Sequence, residues 1–251
     1  LRMRYFKNLI KYRISFFVVF LCLMQACSTM QIVESDISMA GQSDFGLLLM
    51  AHGGTKEWNE AVLQATSEVS AKYPVEVAFG MADAGSLERS VRRLENFGVK
   101  DVGVVRMFVS GESWYERTQQ ILGTIEGAPQ KDNNEIRERT FMPMGFWRID
   151  TDLKFHISED GLADAKEMDQ VIVNRISRLS REPEREVAII IAHGTGSDDE
   201  DNRWIEKITQ RADTAKSTLG LRDVKVFTLR EDWFAKRGEA ESNIRAYLEE
   251  A

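Results

Sequence analysis

The sequence has only two cysteines, Cys22 and Cys27, and both lie in its first 27 residues. Everything after Cys27 is therefore barred from disulfides, thiolate-bound metal and cysteine nucleophile chemistry. Histidine is almost as scarce, with three in 251 residues: His52, His156 and His193. Familiar catalytic signatures are missing too. There is no P-loop, no G-x-G-x-x-G turn and no helical histidine pair of the zinc-protease kind. "VSGES" at 109–113 is not a nucleophile elbow, since Trp114 follows Ser113 and the second glycine is absent. "GSDDEDN" at 196–202 lacks the alternation of an EF-hand loop and reads as an acidic helix start.

Basic charge is short where it would count for nucleic acid. The chain holds 33 Lys and Arg against 40 Asp and Glu, with a net charge of −7. Five of the basic residues and none of the acids fall within residues 1–27, which leaves 28 against 40 in the remainder. A body so acidic does not favour nucleic acid, and no nucleic-acid partner is expected.

What is present begins with an export segment. Arg2, Arg4, Lys7, Lys11 and Arg13 form a basic region, "ISFFVVFLCLM" an apolar one, and small Ala26 precedes Cys27. This order is that of a secretion signal, too short and wrongly flanked for a stable span. "LMQAC" also resembles a bacterial lipoprotein signal, which implies a lipidated Cys27 and anchorage at the periplasmic face. Ser28 in the next position resembles the outer-membrane-directed class. The expected division is a signal at 1–27, a polar tether at 28–44, a first α/β domain at 45–150 and a second at 151–251.

Beyond the tether, strand and helix patterns alternate. "GLLLMA" (46–51), "VEVAFG" (75–80) and "DVGVVRMFVS" (101–110) are apolar runs of buried strands. Between them, Trp58, Val62, Ala65 and Val69 mark one helix and Leu87, Val91 and Leu94 another, which opens near Ser86 and closes at Gly98. A short helix is predicted around 114–122, ending at Gly123. "TFMPMGF" (140–146) is a candidate fourth strand. Met168, Ile172, Ile176 and Leu179 predict a long helix through "SRLSREP".

The pattern then restarts. "EVAIIIA" is a strand, Trp204, Ile208, Ala212 and Ala215 stripe a helix, "VKVFTL" (224–229) is a strand, and a last helix runs from about 235 to 249. Such alternation implies parallel sheets covered by helices. The second set is one strand shorter than the first.

Both sets open on an apolar strand that stops at Ala-His-Gly, with His52 and His193 separated by 141 residues. In an open parallel sheet, ligands gather beyond the carboxyl ends of the strands, where both histidines fall. Gly53 and Gly54 in one copy, and Gly194 in the other, allow the backbone to turn sharply into the following helix. Neutral imidazole is the form that binds a metal or accepts a proton. His156, in "LKFHISED", shares no such context and reads as a loop or surface residue.

Taken in order, "LLLMAHGG", "RMFVSGES", "GLADAKEMDQVIVNRISRLSREP", "VAIIIAHGTGSDDEDNRWIEKI" and "TLREDW" resemble the class II tetrapyrrole chelatases, in particular the two-repeat sirohydrochlorin cobaltochelatase type. The resemblance spans roughly residues 45–250. It implies two related three-layer α/β domains with parallel sheets facing across a cleft, a flat tetrapyrrole between them, and insertion of Co²⁺, alternatively Fe²⁺ or Ni²⁺, without a nucleotide.

By this resemblance His52, Glu112 and His193 are the expected catalytic and metal-ligating residues. Glu112, or Ser113 one residue on, stands where many members carry another histidine. Gly53, Gly54, Met107, Ser113, Trp114 and Gly194 are the expected lining of the tetrapyrrole site, with Phe108 a further apolar neighbour; Met107, Phe108 and Trp114 taken singly each also read as plain core. The other expectation to weigh is a membrane-anchored metal or tetrapyrrole binding protein without turnover.

Overall fold

The computed structural model describes residues 43–131 and 144–250. Cys27, the export segment and nearly all of the tether lie outside the described residues, as do residues 140–143 of the candidate fourth strand. Contacts gather the described residues into one compact unit.

Among the described residues six strands form two parallel sheets. The first has the order β2-β1-β3-β4, built from β1 (Phe45–Ala51), β2 (Val75–Phe79), β3 (Asp101–Arg106) and β4 (Lys154–Ile157). The second has two strands, β5 (Val187–Ala192) and β6 (Asp223–Thr228). Seven α-helices accompany them among the described residues: α1 (Lys56–Ala65), α2 (Ser67–Ser70), α3 (Ala84–Asn96), α4 (Tyr115–Leu122), α5 (Glu167–Ser177), α6 (Asp198–Leu219) and α7 (Phe234–Glu250). The protein is thus α/β with parallel sheets, as the alternating pattern requires.

Three of the helices start where a short polar side chain takes up a free backbone N–H. Thr55 caps α1 at Trp58 N, Asp83 caps α3 at Ser86 N, and Ser197 caps α6 at Glu200 N. Gly123 and Gly220 end α4 and α6 in the left-handed conformation, which glycine adopts without a steric cost.

The first core is dense. Leu48 and Met50 of β1 and Val102 and Val104 of β3 are buried with Leu87, Val91 and Leu94 of α3 and Ile121 of α4. The second core is smaller and joins Ile208 and Ala212 of α6 to Val224 and Val226 of β6, with Ala188, Ile190 and Ala192 of β5 only partly covered.

Three expectations are corrected. The fourth strand is Lys154–Ile157, so His156 sits on a strand; its side chain is still exposed, with Nε2 2.8 Å from Asp101 Oδ1. Residues 144–146 of "TFMPMGF" are not in a strand. In β4, Phe155 and Ile157 pack on the core while Lys154 and His156 face out, an alternation too short to stand out among the surrounding polar residues. The helix of "SRLSREP" stops at Ser177, and Leu179 lies beyond it almost fully exposed at 83%. Third, β5 reads as a fully buried strand but no residue of it is buried, because no third strand lies on its outer edge among the described residues. No helix of the described residues is long and apolar enough to cross a membrane.

Candidate functional site

The two Ala-His-Gly turns have the same local geometry. Gly53 has φ of 84° and Gly194 of 81°, a region closed to most side chains. In each turn the histidine Nδ1 lies 3.0 Å from the carbonyl oxygen of the following glycine. The strands that follow are tied in alike: Gly80 N donates to Ala51 O at 3.0 Å, and Leu229 N donates to Ala192 O at 2.9 Å. Next to them Met81 and Arg230 both hold a positive φ, of 49° and 53°. The sequence repeat is therefore a repeat of backbone conformation.

The surroundings of the two rings differ. His52 is exposed, and among the described residues its Nε2 has no recorded partner. A carbonyl can only accept, so the contact with Gly53 O fits a proton on Nδ1 and a lone pair on Nε2, the arrangement of a metal ligand or proton acceptor. Gly54 N donates to Asn59 Oδ1 at 3.0 Å, and Trp58 packs edge-on to Phe79 beneath the turn.

His193 Nε2, by contrast, lies 3.1 Å from Asp232 Oδ2 and 3.7 Å from Glu231 Oε1, and its ring meets Trp233 edge-on at 5.6 Å. Beneath it Asp201, 5% exposed, accepts from Thr195 N at 3.0 Å and from Thr228 Oγ1 at 2.6 Å. Arg230 Nε donates to Thr195 O at 2.6 Å, and Arg230 and Lys236 both pair with Asp198. Those two cations hold the Asp198 carboxyl below its ordinary value. The acids of "GSDDEDN" thus include structural ones, a role that the charge run alone did not reveal.

Glu112 is engaged elsewhere than at His52. Arg203 of α6 grips it with two parallel hydrogen bonds, Nε to Oε1 at 2.7 Å and Nη2 to Oε2 at 2.6 Å. This pairing, opposed by partial desolvation, lowers the Glu112 carboxyl from its ordinary value and raises Arg203. Among the described residues no group of three or more His, Cys, Asp or Glu stands close enough to hold a metal ion. The structure therefore does not assemble His52, Glu112 and His193 into one ligand set.

The loop that carries Glu112 is fixed by Arg106, which sequence reading passed over. Arg106 is 2% exposed and donates to three backbone carbonyls: Gly111 O at 2.7 Å, Ser113 O at 2.9 Å and Ser158 O at 2.9 Å. Its guanidinium also lies 4.5 Å from the Tyr115 ring centroid. Burial lowers its affinity for a proton, against the opposing pull of Tyr115 and Glu159. An arginine inside the apolar run "DVGVVRMFVS" was the available clue, since an unpaired charge in a buried strand must find acceptors.

The remaining expected lining residues follow on. Met107 is half-buried, and its N–H donates to Met50 O at 2.8 Å. Phe108 is in the core. Ser113 is tied through its carbonyl to Arg106, and Trp114 is exposed with φ of 59°.

Two concavities lie apart from His52. One of about 510 Å³ is on the outer face of β3 and β4, beside Gly103, Val105 and His156. The other, of about 340 Å³, is lined by residues that include Asp198, Asp201, Phe227, Arg230 and Lys236.

Fold and site define an α/β protein that repeats one histidine-glycine turn at two strand ends. No family model matches the sequence, and no curated protein matches it. Among solved structures, DR2241 from Deinococcus radiodurans is similar, with 17% identity and a TM-score of 0.44. The match covers 73% of this chain and 38% of DR2241, so this chain spans well under half of that protein. DR2241 is described as a multi-domain protein with structural similarity to chelatases and two additional novel domains.

Proposed function

We propose that this protein handles a divalent metal ion as substrate, as a chelatase-type lyase that inserts it into a flat tetrapyrrole. Co²⁺ and sirohydrochlorin are the expected pair, with Fe²⁺ or Ni²⁺ as the other metals. The observation that carries this reading is the open Nε2 of His52 at the carboxyl end of β1, in a turn that the chain builds a second time around His193. Metallation exchanges two pyrrole N–H protons for one dication. His52 can bind the incoming ion through Nε2 or accept one of those protons. His193, with Asp232 and Glu231 beside it, offers a second imidazole flanked by anionic charge, which favours a cation nearby.

The grip of Arg203 on Glu112 favours a second reading, binding without turnover, because the carboxylate is already neutralised by a guanidinium. In both readings the export segment and Cys27 imply a lipid-anchored protein at the periplasmic face of an outer membrane. Fatty-acid labelling of cells, lost in Cys27→Ser, tests the anchor.

Purified protein mixed with Co²⁺ and sirohydrochlorin separates the two readings. Time-dependent conversion of the absorption spectrum, abolished in His52→Ala, supports the lyase. Tight binding without conversion supports the carrier. Absence of both overturns the proposal. His52→Ala, His193→Ala and the double variant add a coupling test: if both rings serve one ligand, their effects on Co²⁺ affinity are non-additive.

A further inference from the structure

The two sheets have four outer edges among the described residues, and three of them carry charge. Glu76 lies on β2, Lys154 and His156 on β4, and Asp223 and Lys225 on β6. Charged residues on an edge are the usual guard against pairing with another chain. The fourth edge is β5, with the sequence VAIIIA, and has no polar side chain at all. Ile191 on this strand is 53% exposed and Ile189 is half-buried. In the first sheet β1 holds the place of β5, and its Leu48 and Met50 are fully buried with β3 along that side.

Backbone directions show which groups are left over. Ala192 O accepts from Leu229 N, so Ala192 faces β6. N–H and C=O groups alternate sides along a strand, so Ile189 and Ile191 direct theirs to the open edge. In the first half the corresponding alternation is filled, since Ala51 O accepts from the β2 side and Met50 O from Met107 N after β3.

We propose that a second copy of this chain occupies this edge, through antiparallel pairing of β5 with β5 about a two-fold axis at Ile190. The register follows from the sequence itself. With Ile190 opposite Ile190, Ile189 of one copy lies opposite Ile191 of the other, and Ala188 opposite Ala192. The outward-facing residues Ile189 and Ile191 then exchange both backbone hydrogen bonds, as the closely bonded positions of an antiparallel ladder require. Their side chains share one face, so the exposed isoleucines of both copies form a single apolar cluster. Small residues meet small ones, and no partner other than the chain itself is required. The antiparallel sense also sends the Glu231 and Asp232 of the two copies to opposite ends of the joined strands, where a parallel sense would stack like charges. Self-complementary contact of this kind closes as a two-fold dimer.

Amide hydrogen exchange and sedimentation of the full chain in mild detergent, over a hundredfold range of concentration, test this. The expected result is a dimer at high concentration in which the Ile189 and Ile191 amides exchange at least about tenfold more slowly than in dilute protein. Ile191→Lys should abolish both the dimer and the protection, whereas Leu179→Lys, also on an exposed leucine but away from β5, should keep both. Ile189→Pro serves as a second variant, because edge strands tolerate proline where the missing N–H faced outward. A monomer at every concentration overturns the proposal. So does a dimer that survives both β5 variants, or protection that is independent of concentration, which would mean a strand of the same chain on that edge.

Discussion

The two histidine-glycine turns share a backbone and differ in what packs against it. Around Gly53 a side chain would meet Phe79 Cβ at 3.3 Å and Gly80 N at 3.7 Å, whereas at Gly194 it would meet Asp201 Oδ1, Thr228 Cβ and Arg230 Cγ, all within 2.9 Å. His52 is left open and His193 is surrounded by carboxylates and Trp233. One conformation, set by glycine, therefore serves a bare imidazole in the first half and a buttressed one in the second. The shared part is local and is encoded in three residues. The unshared part comes from Asp201 on the following helix and from residues 228–233 at the end of the neighbouring strand.

The largest expected effect lies beside the turns, at the brace of the Glu112 loop. Arg106→Met should destabilise the protein by about 3 kcal/mol or more, because one buried and two partly buried carbonyls lose their donor. Chemical denaturation measures this, and a loss under about 1 kcal/mol would mean that water replaces the guanidinium.

Next come the glycines. Gly194→Ala should cost about 3 kcal/mol, from the left-handed backbone and from crowding against Asp201 and Thr228. Gly53→Ala should cost only about 1 kcal/mol, the backbone share alone. Equal losses for the two would show that the packing difference has no energetic weight.

The histidines themselves should matter less to stability. His193→Ala is expected to cost about 1 kcal/mol through its contacts with Asp232 and Trp233, and His52→Ala nothing measurable in thermal melts. If His52→Ala lowers the melting temperature, the open ring has a structural partner.

At Glu112 the expected effect is small and confined to acid pH. Its carboxyl is lowered in the folded state, so the stabilisation is present above the unfolded value, about 4.3, and is lost as pH falls through the lower folded value. The pair with Arg203 is two-fifths to one-half exposed, so solvent screening keeps it to under about 1 kcal/mol. Glu112→Gln should therefore flatten the acid limb of the stability curve slightly and leave the neutral region nearly unchanged. A slope identical to wild type would show that the ion pair adds nothing.

The sequence by itself determined the alternation of strands and helices, the helix end at Gly123, and the doubled Ala-His-Gly turn. These follow from residues a few positions apart: apolar period, capping side chains, and glycine where φ must be positive. It also showed that the second set is one strand shorter. Tertiary structure alone decided the rest, because it depends on which distant groups meet. Lys154–Ile157 becomes a strand only because β3 offers an edge. Glu112 is an ion-pair partner because α6 brings Arg203 to it across 91 positions of sequence. Arg106 is a brace because two loops converge on it. And β5, as apolar as β1, is left partly uncovered because burial belongs to the neighbours a strand finds and not to the residues it carries.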